Sequence, residues 1–218
     1  MRRDFILAFA IAAVASGVQA QIQPDAPTIQ YFKSEAHTQL IGTMGLVYER
    51  NIFQRKEMCS TGYRWDPISF AILQPLVMPA SGSHPESGVW TMRFRFQGCG
   101  HSAVYNVMHR AQAGKSPQPV ALPPGDTRAG PTLAYDLMKG VGVASLHAGS
   151  TPECKAVHIL NTEVTRAPFQ QEVDGQVTEG VWEESWRARA CDKEFTADFC
   201  LTPQPTGGTN WALGKCRR

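Results

Sequence analysis

Six cysteines constrain this chain more than any other feature: Cys59, Cys99, Cys154, Cys191, Cys200 and Cys216. In a reducing compartment such residues bind metal or do chemistry, and in an oxidising one they pair. The N-terminus decides between the two. It reads Met1-Arg2-Arg3-Asp4, then an apolar Phe5 to Val14, then Ala15-Ser16-Gly17-Val18-Gln19-Ala20. A basic start, a short apolar stretch and a small-residue exit are the three parts of a secretory signal. Val18 and Ala20 hold the small-residue positions before the scissile bond, which places cleavage between Ala20 and Gln21. The apolar stretch is shorter than the roughly 20 residues that cross a bilayer. No cysteine follows it to carry a lipid, and no Ser or Thr precedes the Arg2-Arg3 pair as in a twin-arginine signal. The sequence therefore predicts a signal peptide over 1–20 and a single exported domain over 21–218, periplasmic or secreted, with no membrane span after cleavage.

Export turns the cysteines into up to three disulfides. Cys200 and Cys216 flank a turn-rich stretch and are the first pair expected. Cys99 with Cys154 is the next, which leaves Cys59 for Cys191.

The whole chain carries a formal charge of +2, and losing Arg2, Arg3 and Asp4 with the signal reduces this by one. No basic stripe is present to follow a phosphate backbone, so nucleic acid is not an expected partner. Nothing in the sequence calls for a cofactor.

Alternation dominates the rest. Trp90, Met92, Phe94 and Phe96 share one face of Val89–Gln97, and Thr91, Arg93 and Arg95 share the other. Period two with a polar outer face marks a half-buried strand. Ile68–Met78 is a more apolar strand broken by Pro75, which suits either a sheet edge or a bend there. Further strands are expected over 102–112, 155–165, 181–191, 194–202 and 209–215. Residues 21–29, with Pro24 and Pro27, read as an extended leader. Ser34 can cap a helix over 34–54, although Gly42 and Gly45 each cost about 1 kcal/mol against Ala there. A second helix begins near Pro131, with Gly140 and Gly142 either weakening it or marking close packing on a sheet. Gly114–Gly130 reads as a long Pro/Gly loop. The fold class is α+β: a mainly antiparallel β-sheet with one or two packing helices, stapled by disulfides. No internal repeat is apparent.

At the C-terminal end, Trp182-Glu183-Glu184-Ser185-Trp186, then Cys191, then Thr206-Gly207-Gly208-Thr209 resembles small exported proteobacterial proteins of unknown function. Gly98-Cys99-Gly100 and Pro123-Pro124-Gly125 fit the same pattern, over roughly residues 95–215. Asp192 departs from it, standing where a Gly often follows the cysteine. The resemblance implies a periplasmic or secreted protein and supplies no catalytic residues.

Three constellations could carry chemistry. Gly100-His101-Ser102-Ala103-Val104 follows a strand, as a nucleophile elbow does, but lacks the closing Gly; a plain strand-opening turn explains it as well. Cys99, His101, Cys154 and His158 could assemble a metal site, in competition with disulfide pairing, and pairing is the expectation. His37, His84, His109 and His147 show no ligand spacing. Trp182, Glu184 and Trp186 share one strand face, the combination that stacks on a sugar ring and takes its hydroxyl protons. They are the candidate binding residues, for a protein or glycan partner. The alternative is that both indoles are core anchors. Glu183 points to the other face, so the two carboxylates cannot flank one glycosidic bond. Glu183 should instead pair with Arg187 in a solvated ladder. With no complete catalytic set, a non-catalytic binding or envelope-associated role is expected, with a secreted hydrolase or an enzyme inhibitor as alternatives.

Overall fold

The computed structural model describes residues 22–55, 59–150, 153–154, 156–173 and 175–217. The signal segment and the Ala20–Gln21 bond lie outside them.

Local signals start each helix. Helix α1, Ala26–Phe32, opens where the Asp25 side chain accepts from the Thr28 N–H at 2.9 Å, with Pro27 in the first turn. The expected extended leader is thus partly helical: proline suits a first helical turn, because its missing N–H has no partner there anyway. Helix α2, Glu35–Val47, is capped by Ser34, whose Oγ accepts from His37 N–H at 3.2 Å. It runs on into a π-helical turn, Tyr48–Ile52. Helix α3, Pro131–His147, begins with proline after Gly130.

The strands form two antiparallel four-stranded meanders, β1-β2-β3-β4 and β5-β6-β7-β8. In the first, β1 spans Arg64–Val77, β2 Ser87–Gly98, β3 His101–Arg110 and β4 Gln118–Leu122. In the second, β5 spans Val157–Val173, β6 Gln176–Ala190, β7 Lys193–Pro203 and β8 Thr209–Leu213. Strand β1 is an edge, and its register slips beside Pro67 and Pro75, where a ladder N–H is missing. Strand β4 falls inside the stretch read as a loop. Its hydrogen bonds to β3 compensate for a weak apolar pattern.

The two sheets are the same unit built twice, which corrects the reading of no repeat. In each half a helix, α2 or α3, precedes a four-stranded meander, with α1 an addition to the first half. Gly88-Val89-Trp90 stands in β2 as Gly180-Val181-Trp182 stands in β6, with an arginine (Arg95, Arg187) and a cysteine (Cys99, Cys191) following at identical spacing. The disulfides repeat too. Cys59 before β1 pairs with Cys99 in the β2–β3 turn, and Cys154 before β5 pairs with Cys191 in the β6–β7 turn. Cys200–Cys216 forms as expected; the other two expected pairs, Cys99–Cys154 and Cys59–Cys191, do not. The staples run within halves, not between them.

Each helix lies on one face of its own sheet. Ile41, Met44 and Tyr48 pack on Met92, Phe94, Phe96, Tyr105 and Val107. Ala134, Leu137 and Val141 pack on Trp182, Trp186, Ala188, Phe199 and Leu201. A glycine brings each helix close. A Cβ on Gly45 would lie 2.1 Å from the Phe96 ring, and one on Gly140 would lie 2.6 Å from that of Phe199. Gly142, by contrast, faces open space.

The halves meet where β4 runs out. Gly125 N–H donates to Val104 O of β3 at 2.8 Å, and Asp126 N–H donates to Thr162 O of β5 at 2.7 Å. Gly125 and Thr162 form a parallel bridge.

Candidate functional site

Trp182, Glu184 and Trp186 do come together, but facing inward. All three are buried. Glu184 Oε1 accepts from Trp182 Nε1 and from the Arg128 N–H, both at 2.8 Å. Oε2 accepts from Trp186 Nε1 at 2.8 Å and Thr127 Oγ1 at 2.6 Å. Four donors satisfy a carboxylate that burial alone would make prohibitive. Two of those donors belong to the 123–130 connection, so the trio fastens that connection to the second sheet. Neither indole presents a free face to a sugar, because both rings are packed into the core.

Glu183 faces the other way, as alternation requires. Its ion pairs are with Arg166 at 3.7 Å and Lys215 at 4.0 Å, and its Oε1 accepts from Cys216 N–H at 3.2 Å. The expected partner Arg187 is exposed. Glu183 therefore fastens the C-terminal tail, beside the Cys200–Cys216 disulfide.

His101 and Ser102 open β3, so consecutive side chains leave opposite faces of the strand. Gln97 Nε2 donates to Ser102 Oγ at 3.5 Å. His101 turns inward, placing Nε2 3.5 Å from Glu49 Oε1. Glu49 sits on the π-helical turn, a distortion that often marks functional sites. Its buried carboxylate accepts from the Tyr105 hydroxyl and pairs with Arg55 at 2.7 Å. Burial holds the His101 pKa below its ordinary value; Glu49 opposes this and Arg55 reinforces it. Burial likewise drives Tyr105 far above its usual range, helped by Glu49. Tyr48 stacks on Tyr105 at 4.3 Å and accepts from Leu122 N–H at 2.9 Å. This network locks the π-helical turn to β3 and β4.

Cys99 and Cys154 are both taken by disulfides, which removes two of the four ligands of the metal reading. Among the described residues, no group of three or more His, Cys, Asp or Glu is placed to hold a metal ion.

The histidines without ligand spacing form the cluster that spacing could not reveal. His37 of α2 and His109 of β3 are fully buried, with ring centroids 6.4 Å apart. Trp90 stacks on His109 at 5.1 Å. Tyr31 lies 5.2 Å from His37 and 6.2 Å from His84. The sequence does hold a signal for this. His37 falls on the α2 stripe with Ile41 and Met44, and His109 on the β3 face with Tyr105 and Val107. Face, not spacing, brings them together.

A cleft of about 380 Å³ opens where the halves meet. Met108, Val120 and Leu122 form one wall, Ala134, Tyr135 and Met138 of α3 another, and Val157 and Ile159 of β5 a third. Ile52, Pro123, Pro124 and Pro131 close its ends, and His158 is its one imidazole. A smaller, more polar pocket of about 200 Å³ lies beside it, holding Ser69, Thr91, Arg93 and Asn106. Arg93 there pairs with Asp126 at 2.7 Å.

No protein-family model, curated protein or solved structure matches this chain. The three disulfides are consistent with an exported protein, and among the described residues no helix is long and apolar enough to cross a membrane.

Proposed function

We propose that this is an exported, non-catalytic binding protein that takes an extended, apolar segment of a protein partner into the cleft between its halves. The observation that carries the reading is the composition of the cleft walls. Strands β4 and β5 both line it, and each has a β-neighbour on one side only, apart from the single bridge at Gly125 and Thr162. At Leu122 the β4 edge is already taken by the Tyr48 hydroxyl; elsewhere a strand edge can pair with an extended peptide while alternate side chains enter an apolar groove. The volume falls within the range of ligand sites and suits a few apolar side chains. The lining is nearly all aliphatic, aromatic or proline, which favours an apolar peptide over a glycan. The prolines in the cleft lining, Pro123, Pro124 and Pro131, lower the ordering cost of binding. The twice-built, stapled frame also suits the inhibitor alternative, a special case of the same binding.

Selection of displayed peptides against the mature protein tests this. Binders should alternate apolar residues, and fluorescence anisotropy should show them weakened at least about tenfold by Val120→Lys and by Tyr135→Ala. Both side chains are exposed, at 46% and 74%, so melting temperature should hardly move. Binders indifferent to both substitutions, or no enrichment at all, would overturn the reading.

A further inference from the structure

Buried polar groups are normally partnered, and those that are not call for an explanation. Here the unpartnered ones concentrate in one seam. Tyr31 Oη, both ring nitrogens of His37 and of His109, His84 Nδ1 and Trp90 Nε1 are all buried without a hydrogen bond of normal geometry. Backbone of Phe32 bears on His37 but does not offset its burial. The seam joins five elements: α1 through Tyr31 and Phe32, α2 through His37, the 78–86 loop through His84, β2 through Trp90 and β3 through His109. Strand β1 adds Phe70, Ile72 and Leu76, and Leu40 and Met78 pack at its margin. The titratable groups facing one another are therefore Tyr31, His37, His84 and His109. No carboxylate is among them; among the described residues, the only histidine in an ion pair is His101.

The second half shows that the fold does not need these imidazoles. Counted from the residue that caps each helix, Ser34 and Gly130, His37 and Leu133 hold the same place. Counted from the repeated cysteine, His109 and Leu201 do also. Leucine closes the second seam at both positions. The tryptophan at the matching place, Trp182, donates its N–H to Glu184, whereas Trp90 has no acceptor.

We propose that His37 and His109 form an acid-operated latch holding α1 and α2 on the first sheet. As neutral rings they pack like the leucines of the second half. Protonated, they place two cations in one seam that holds no carboxylate among the described residues, and the α1–α2 layer lifts away while α3 stays docked. Burial sets the direction: it lowers His37 to about 4, with His84 adding to the effect, and lowers His109 to about 3, with His37 adding to it. A histidine depressed in the folded state supplies stability that is whole above its ordinary value near 6.5. That stability is lost as pH falls from there toward the folded values. With two such groups, the opening equilibrium should rise by up to about 100-fold per pH unit in that window.

Hydrogen exchange of the mature chain between pH 7.5 and 4.5, corrected for the intrinsic pH dependence of exchange, tests this. Residues 26–47 should lose protection steeply below about pH 6 while 131–147 keep theirs. His37→Leu with His109→Leu, which copies the second half, should flatten that loss by at least tenfold per pH unit. Parallel loss in both helices, or an unchanged pH dependence in the double variant, would overturn the latch. Imidazole NMR of the unsubstituted protein keeps the test open if the variant fails to fold. His37 and His109 should change together and steeply, with loss of α1–α2 contacts; titration of each near its ordinary pKa in an intact fold would refute it.

Discussion

The two halves share a plan and part company over their polar groups. Both dock a helix through a glycine, place a tryptophan nine residues before a cysteine, and tie that cysteine to the segment before the first strand. In the second half the tryptophan N–H finds a carboxylate, and that carboxylate also holds the 123–130 connection. In the first half the matching residue to Glu184 is Met92, and Trp90 lies against histidines instead. Frame and chemistry thus separate. What repeats belongs to the fold, and what differs between copies is where specific roles can be sought.

The sharpest break of this comparison is at Glu184. Glu184→Ala leaves four buried donors without an acceptor and a void between two indoles. A loss of about 4–5 kcal/mol or outright failure to fold is expected. Met92→Ala, at the matching place, removes only apolar contact and should cost about 2–4 kcal/mol. Urea unfolding of both variants measures the difference. A Glu184 variant no worse than the Met92 one would mean the carboxylate is not the fastening it is taken for.

The repeated disulfides should act alike. Cys59–Cys99 and Cys154–Cys191 close loops with separations of 40 and 37 residues, against 16 for Cys200–Cys216. Loop-closure entropy makes the first two worth about 4 kcal/mol each and the third about 3. Paired Cys→Ala replacements, read by denaturant midpoints, should rank in that order. Nearly equal losses from the first two would support their equivalence, and a gap of more than about 2 kcal/mol would break it.

The strand faces were legible because burial on one side imposes period two, and Trp90, Met92, Phe94 and Phe96 all proved buried. The class, the edge position of β1 and the Cys200–Cys216 pair followed from equally local signals. The repeat was not legible, because five identities in twelve residues stand alone while loops of unequal length separate the copies. Two of the disulfide pairs were misassigned for the same reason: only the repeat shows that each half staples itself. Trp182, Glu184 and Trp186 do share one face, but a face pattern does not distinguish an open surface from one covered by a connection 56 and 57 residues earlier in the chain. That contact to Thr127 and Arg128 is a fact of tertiary structure. The histidine seam was within reach of the face argument, because His37 and His109 lie on core-facing stripes, whereas ligand spacing carries no trace of it.

The smallest effects come from the helical glycines, and there the prediction is one of sign. Gly45→Ala must push the Phe96 ring, and Gly140→Ala the Phe199 and Trp211 rings, so each should destabilise by about 1–3 kcal/mol. Gly42 and Gly142 sit in the same two helices with nothing within 4 Å of an added Cβ. Alanine there meets no neighbour and removes backbone freedom from the unfolded chain, so each should stabilise by about 0.5–1 kcal/mol. Thermal melts of the four single variants should therefore split two and two, one of each kind per half. A stabilising Gly45→Ala or Gly140→Ala would show that its helix can stand further off its sheet, and the close docking that both halves share would then be incidental in that copy.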